Sequence, residues 1–388
     1  MDQDDIVRAG RWTVARAVLV LALSLIAEIM AVVVVIFCGV PAESLLANTI
    51  TVGCGGAAAV LGVIVLGGGD WVSISRDDVR HTFRLGWWCL AVAAALMFLG
   101  TMSYLGDHKA LAPDALANLL RLGVFCLAVG ISEEAMFRGI IFNAMLAVRG
   151  GTRRGVVWSV ILTSVLFGAA HIDYSVAFND ALTVVQAVLK IVQTGMYSFL
   201  LCVVVLRTRR LGGVSLFHAV DDFLILVPSA ALFESAFDTN YINTGSDAMA
   251  TIALYLVVIA LYAPVVVMSA RELRINGPDS YRGVFMEDVV EAVEKAQAAH
   301  ASQPSHHLPD VSGQGPASPA EPSREVAAPD TVADGVTRWA LDDMADVATG
   351  PREAPRETGA QGGSGGSVPP DRRDAGRPPV PGNLDGLS

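Results

Sequence analysis

Residues 116–148 read LANLLRLGVFCLAVGISEEAMFRGIIFNAMLAV, an apolar stretch with Glu133, Glu134 and Arg138 in its second half. A transmembrane helix needs roughly 20 mostly apolar residues, so the stretch is long enough to cross a bilayer. Ionisable side chains at membrane depth are costly, and a chain that keeps several of them in one span is expected to use them. The stretch therefore predicts a membrane protein with a buried polar site.

The composition of the whole chain is typical of a membrane protein. Hydrophobic residues make up 53% of the 388 residues, charged residues make up 17%, and the mean hydropathy is +0.51. Soluble domains are less apolar and have about 25% charged residues. Most of the net charge of −11 lies in residues 283–388, which hold 17 acidic and 8 basic residues. The acidity is a property of this tail, and we expect no nucleic-acid partner.

Seven further apolar segments meet or approach the length of roughly 20 residues that a transmembrane helix needs. Together, the eight predicted spans are residues 17–40, 49–67, 86–105, 116–148, 155–172, 181–206, 212–235 and 248–270. Arginines cluster before the first span, in every second connection and after the last span, and Lys109 is the only base in the other connections. Positive-inside reasoning then places both termini in the cytoplasm. The sequence predicts an all-α polytopic membrane protein with about eight transmembrane helices.

Three regions follow from this pattern. Residues 1–16 are predicted to be a cytoplasmic N-terminal segment, residues 17–282 a transmembrane helical domain, and residues 283–388 an acidic cytoplasmic tail. A short amphipathic helix is expected over Met286–Ala298. Pro, Gly, Ser and Ala dominate beyond it, so we expect disorder from about Ser302 because such a segment buries too little apolar surface. The tail is a candidate for binding a protein partner.

The spacing of the charged residues in the fourth span indicates a division of roles. On a helix, Glu134 and Arg138 are four residues apart and can pair along one face. Glu133 points about 100° away and lacks that partner, which suits a general base. The alternative is that all three residues form an ion-pair network that only holds helices together.

Two later spans carry histidines and carboxylates. His171 closes the fifth span, after the small residues 168–170 that permit close approach of a neighbouring helix. Alone, His171 would be interpreted as an interfacial histidine. In the seventh span, His218 and Asp222 are four residues apart on one helical face, a spacing that serves both metal sites and acid–base pairs. A common cluster with Glu133 is therefore predicted.

Three motifs occur in order along these spans: Glu-Glu-x-x-x-Arg at 133–138, Phe-x-x-x-His at 167–171 and His-x-x-x-Asp at 218–222. In this order they resemble the CAAX-processing and bacteriocin-processing (CPBP, or Abi) family of intramembrane proteases, over about residues 116–235. The resemblance implies that Glu133 activates water and that His171 and His218 bind or orient the water or a metal. The structural support by Glu134 and Arg138 follows from their spacing alone.

Asp222 occupies the family's asparagine or aspartate position, where an asparagine can stabilise the oxyanion. An ionised aspartate donates no hydrogen bond, so Asp222 would have to be protonated, bind metal or orient His218.

The resemblance leaves metal dependence open. Glu133, His171 and His218 would make a three-ligand zinc site with water in the fourth position, but a ligating Glu133 would not be free to act as base. We favour a water-activating Glu133 and keep zinc as an alternative. The expected substrate is a membrane protein or a lipidated peptide, and the expected location is a prokaryotic plasma membrane.

Two other function classes compete with a protease. One is a non-catalytic membrane scaffold, immunity factor or regulator, and the other is a proton-coupled transporter that uses the carboxylates and histidines as a relay. The remaining intramembrane charges are given no catalytic role. We expect Arg121 and Lys190 to snorkel or to line a cavity, and Glu28 is a candidate to face the same cavity.

Overall fold

Long helices make up the architecture. The computed structural model describes residues 3–233 and 241–301, and these residues form helices, turns and loops without any strand. The eight helices that are long and apolar enough to span a membrane are α1 (Gln3–Phe37), α2 (Leu45–Val65), α3 (Arg76–Gly106), α4 (Ala115–Arg149), α5 (Arg153–Ala170), α6 (Ala181–Thr208), α7 (Gly212–Leu232) and α8 (Ala248–Asn276). A shorter helix, α9, covers Glu287–Ala301. The predicted all-α membrane fold with eight spans is confirmed.

Several helices begin well before their apolar segments. Residues 3–16 form the first turns of α1, and α3 begins ten residues before the predicted residue 86. The start of α3 is fixed by a capping box, in which Ser75 Oγ accepts from Asp78 N and Asp78 Oδ1 accepts from Ser75 N, both at 3.2 Å. Hydropathy locates the part of a helix in the membrane, whereas capping groups decide where the helix begins.

The centre of the bundle is formed by α6 and α7. Residues 200–205 of α6 are buried on all sides of the helix, a pattern typical of a core helix. α6 packs against α5 and α8, and α7 packs against α3 and α4. By contrast, α1 exposes large apolar side chains such as Leu19, Ile26 and Ile29. The motif-bearing helices α4, α5 and α7 therefore meet around the interior of the bundle.

Glycines allow two of these helix contacts to be close. A Cβ at Gly130 of α4 would lie 2.4 Å from the carbonyl oxygen of Ser215 in α7. A Cβ at Gly168 of α5 would lie 2.4 Å from the carbonyl oxygen of Ile191 in α6. Only glycine permits backbones to approach so closely.

The segment after α8 returns to the bundle. Tyr281 N donates to Gly150 O at 2.7 Å, and Val284 and Met286 are buried. The short amphipathic helix expected from the sequence is present as α9. The acidic tail predicted from residue 283 thus begins with about twenty residues that pack or form helix. The expected disorder and the partner-binding role of the tail lie outside the described residues.

Candidate active site

A change of helical geometry follows the paired glutamates. α4 is α-helical up to Glu134 and π-helical over Ala135–Phe142. Asn143, which is fully buried, donates through Nδ2 to the carbonyl oxygens of Arg138 and Gly139, both at 3.0 Å. These bonds satisfy carbonyl groups within the π-helical turns. Single-turn π segments occur frequently at functional sites, and this one carries Arg138.

Glu134 and Arg138 form the ion pair expected from their spacing. Arg138 Nη1 lies 2.8 Å from Glu134 Oε1, and neither side chain is exposed. The guanidinium also donates through Nη2 to Ser198 Oγ at 2.8 Å, and its Cζ lies 4.2 Å from the ring centroid of Phe167. Arg138 therefore connects α4 with α5 and α6.

The same glutamate orients the histidine of α7. His218 Nδ1 lies 2.8 Å from Glu134 Oε1. A carboxylate accepts hydrogen bonds and does not donate them, so the hydrogen of this bond is on Nδ1. The lone pair of a neutral His218 is then on Nε2, which lies 3.8 Å from Glu133 Oε2.

His171 is held in an equivalent way. It caps the C-terminus of α5, and its Nδ1 lies 2.8 Å from the carbonyl oxygen of Phe167. Since a carbonyl oxygen only accepts, Nδ1 again carries the hydrogen. His171 Nε2 lies 3.7 Å from Glu133 Oε2. Two imidazole Nε2 atoms thus face one oxygen of Glu133.

Asp222 completes the group. Its Oδ2 lies 3.6 Å from His218 Nε2. Separations of 3.6–3.8 Å are too long for direct hydrogen bonds, so these side chains lie close together without bonding one another. The structure therefore brings together the four residues that the sequence predicted as catalytic: Glu133, His171, His218 and Asp222.

Exposure separates these residues into two layers. The side chains of Glu133, His171 and Asp222 are 24%, 18% and 28% exposed, whereas those of Glu134 and Arg138 are fully buried. Accessible side chains are available to a substrate, and the buried pair underneath holds them in place.

Sequence reasoning gave too little weight to Lys190. This lysine does not snorkel: it is buried, its Nζ lies 3.2 Å from Gln193 Oε1, and its Nζ lies 3.8 Å from the ring centroid of Tyr241. It interacts electrostatically with Asp222, Glu133 and Asp221. Of the two expected positions, snorkelling or lining a cavity, the structure excludes the first, and neither had given this intramembrane lysine a role in the site.

Three other side chains lie near the four residues. The ring of Tyr241 is 6.4 Å from that of His171, and burial, together with the negative charges of Asp222 and Glu133, raises the pKa of its phenol. Asp221 is buried, and its Oδ1 has no hydrogen-bond partner among the described residues. Glu28 of α1 interacts electrostatically with Glu133, as expected for a residue facing the same cavity. Arg121, which was expected to snorkel or to line a cavity, donates through Nη1 to Asn118 Oδ1 at 3.0 Å.

The donor groups do not form a ready metal centre. Within residues 3–233 and 241–301, no three or more His, Cys, Asp and Glu side chains are arranged to hold a metal ion. The predicted zinc ligands, Glu133, His171 and His218, thus face one another without a ligating geometry. Zinc binding by these residues stays a prediction.

Comparison with known families agrees with the motifs. Residues 115–224, from the start of α4 to the middle of α7, match the family model described as type II CAAX prenyl endopeptidase Rce1-like. This match supports a CAAX intramembrane protease family. The resemblance predicted from the sequence is therefore confirmed, and the matched residues include the paired glutamates, Arg138, both histidines and Asp222. No curated protein and no solved structure matches the chain.

The match indicates a general function. The CAAX protease family is a family of proteases, and its match, together with eight membrane-length helices, identifies the chain as an integral membrane protein. The match indicates intramembrane endopeptidase activity.

Proposed function

We propose that the protein is an intramembrane endopeptidase that hydrolyses peptide bonds of membrane-associated substrates, with Glu133 as the base that activates water. The observation that carries the proposal is the position of Glu133 Oε2, at 3.7 and 3.8 Å from Nε2 of His171 and His218. With both imidazoles neutral, a water molecule bound beside these atoms meets only acceptors, because the one N–H of each ring is on Nδ1.

The geometry suggests how the water would react. Glu133 accepts one hydrogen of the water and an imidazole Nε2 accepts the other, which leaves an oxygen lone pair free to attack the substrate carbonyl carbon. Attack forms the C–O bond and moves the carbonyl electrons onto oxygen. Glu133, now a carboxylic acid, then gives its proton to the amide nitrogen as the C–N bond breaks.

The remaining residues support this step. The Arg138 guanidinium pairs with Glu134, and Glu134 accepts the Nδ1 hydrogen of His218. Asp222 Oδ2, at 3.6 Å from His218 Nε2, makes no direct bond to the ring and is a further acceptor beside the water. An aspartate in this position accepts hydrogen bonds and therefore supplies no amide donor to the developing oxyanion.

The substrate class follows from the site's location and from the family. Its residues lie on membrane-spanning helices, so the substrate must reach them from the bilayer or its surface. The matched family is described as type II CAAX prenyl endopeptidase. We therefore propose a membrane protein or a lipidated peptide as the substrate. We also propose a prokaryotic plasma membrane location with both termini in the cytoplasm.

Cleavage by purified protein tests the proposal. Wild type, Glu133→Gln and the control Glu43→Gln, which changes an exposed glutamate between α1 and α2, are incubated in detergent with a farnesylated CAAX peptide and with peptides derived from membrane proteins. We expect cleavage by wild type and the control, and at least a 10³-fold loss in Glu133→Gln. Metal content measured on the same samples tests zinc. Folded wild type that cleaves nothing would contradict the proposal and favour a scaffold, or a transporter if liposomes show proton flux.

A further inference from the structure

The proposed hydrolysis places negative charge on the substrate's carbonyl oxygen, and this charge needs a donor. Among the four predicted catalytic residues, Glu133 and Asp222 are carboxylates, and a neutral His171 or His218 has no second N–H, because its one N–H is on the bonded Nδ1. Oxyanion stabilisation usually contributes the largest single part of such catalysis. The residues identified so far thus leave the oxyanion without a partner.

We propose that Lys190 is the oxyanion-stabilising catalytic residue of this protein, a role that rests on the proposed protease function. Its ammonium group has three N–H donors. One points to Gln193 Oε1 at 3.2 Å, and the Tyr241 ring packs against the charge at 3.8 Å. These contacts fix the group while leaving donor capacity for a substrate oxygen.

The position of Lys190 fits this role. Tyr241, which contacts Lys190, also neighbours His171, so the lysine lies on the His171 side of the site. Lys190 is close enough to Glu133 and Asp222 to interact with both electrostatically. A buried cation acts in a low-dielectric environment, where its attraction for a developing anion is much stronger than in water. A lysine here supplies the donor that Asp222 lacks.

A purely structural role makes a different prediction. Lys190 also offsets the negative charges of Asp221, Asp222 and Glu133, and charge balance alone would explain a buried lysine. The double variant Lys190→Met/Asp221→Asn separates the two roles because it removes one positive and one negative charge. The net charge of the site is then unchanged, but the N–H donors of Lys190 are lost.

The kinetic test uses whichever peptide the wild type cleaves. We expect Lys190→Met to lower kcat by about 10²–10³-fold, as for loss of one oxyanion donor, with KM changed less than about threefold. The double variant should show the same loss. A phosphinate analogue of the cleaved bond, which imitates the oxyanion, should bind both variants about 10²-fold more weakly than wild type. Arg121→Met, which removes an intramembrane cation of α4 paired with Asn118, is the matched control and should retain activity.

The outcomes are distinguishable. Recovery of kcat in the double variant, or unchanged phosphinate binding, would overturn the Lys190 role and leave the protease intact. Wild-type protein that cleaves nothing overturns both proposals. If Lys190→Met fails to fold, the charge-balanced double variant carries the same test.

Discussion

His218 and Glu134 are joined by a 2.8 Å hydrogen bond through Nδ1, and this bond decides which ring nitrogen faces the adjacent Glu133. Glu134 therefore contacts Nδ1 of the His218 ring, and its neighbour Glu133 faces Nε2. Glu134 is bound to Arg138 and buried, whereas Glu133 is partly exposed. The contacts thus give Glu134 a structural role and leave Glu133 free to be the proposed base.

Neutralising each glutamate should have different consequences. Glu134→Gln leaves the buried Arg138 guanidinium without its counter-ion, and breaking a buried ion pair costs about 3–5 kcal/mol. We expect a large fall in the thermal unfolding temperature in detergent, together with loss of cleavage. Glu133→Gln should lose cleavage and keep the wild-type unfolding temperature, because Glu133 makes no short ion pair. Equal stability of wild type and Glu134→Gln would contradict the assigned roles.

Close packing at Gly168 should be needed for activity. In Gly168→Ala, the new Cβ would lie 2.4 Å from Ile191 O, so α6 must move near Lys190. A displacement of about 1 Å at an active site can cost 10²-fold in rate. We expect a loss of that order in kcat/KM with the protein still helical by circular dichroism.

Gly53→Ala is the control for this substitution. Gly53 lies within α2, and a Cβ there would meet nothing within 4 Å. Because alanine favours helix over glycine, this variant should keep its activity and gain up to about 1 kcal/mol of stability. Activity of Gly168→Ala equal to that of Gly53→Ala would show that the helix contact tolerates displacement.

Hydropathy and spacing predicted much of the fold and part of the site. The eight spans follow from apolar length, and the contact between Glu134 and Arg138 follows from helical periodicity. It was harder to predict that the two histidines lie at one site. With a rise of about 1.5 Å per residue, His171 lies about 24 Å and His218 about 10 Å along their predicted spans from the cytoplasmic side, so their predicted depths differ. The structure nevertheless brings both rings to Glu133. Helix tilt and starting depth depend on packing between helices, which a hydropathy profile does not record.

The sequence did not predict the burial of Lys190 or the π-helical turns of α4. The reasons are related, because both features depend on contacts between side chains. A lysine near a helix end has two outcomes, snorkelling to the interface or facing the interior, and the local sequence is the same for both. Packing against Tyr241 and Gln193 decides between them here. The π-helical turns depend on Asn143, whose side chain reaches back to Arg138 O.

The orientation predicted from the arginines is directly testable. Green fluorescent protein fused after Ser388 should fluoresce in a bacterial host, because it folds in the cytoplasm. Alkaline phosphatase inserted between α5 and α6, at residues 173–180, should be active, because that connection is predicted to lie outside. Phosphatase activity at the C-terminus would contradict the placement of both termini in the cytoplasm.

Asn143 connects the candidate active site to the segment after α8. Its Nδ2 donates to Arg138 O and Gly139 O, and its Oδ1 accepts from Val284 N at 2.9 Å. Asn143→Ala removes all three bonds and leaves buried groups unpaired, each costing about 1–3 kcal/mol. We expect faster hydrogen exchange at Val284 and lower kcat, because Arg138 belongs to the same π-helical turns. Asn276→Ala, which removes an exposed bond to Glu272, is the control and should change neither. Faster exchange at Val284 with unchanged kcat would show that the segment is only anchored by Asn143 and does not influence the site.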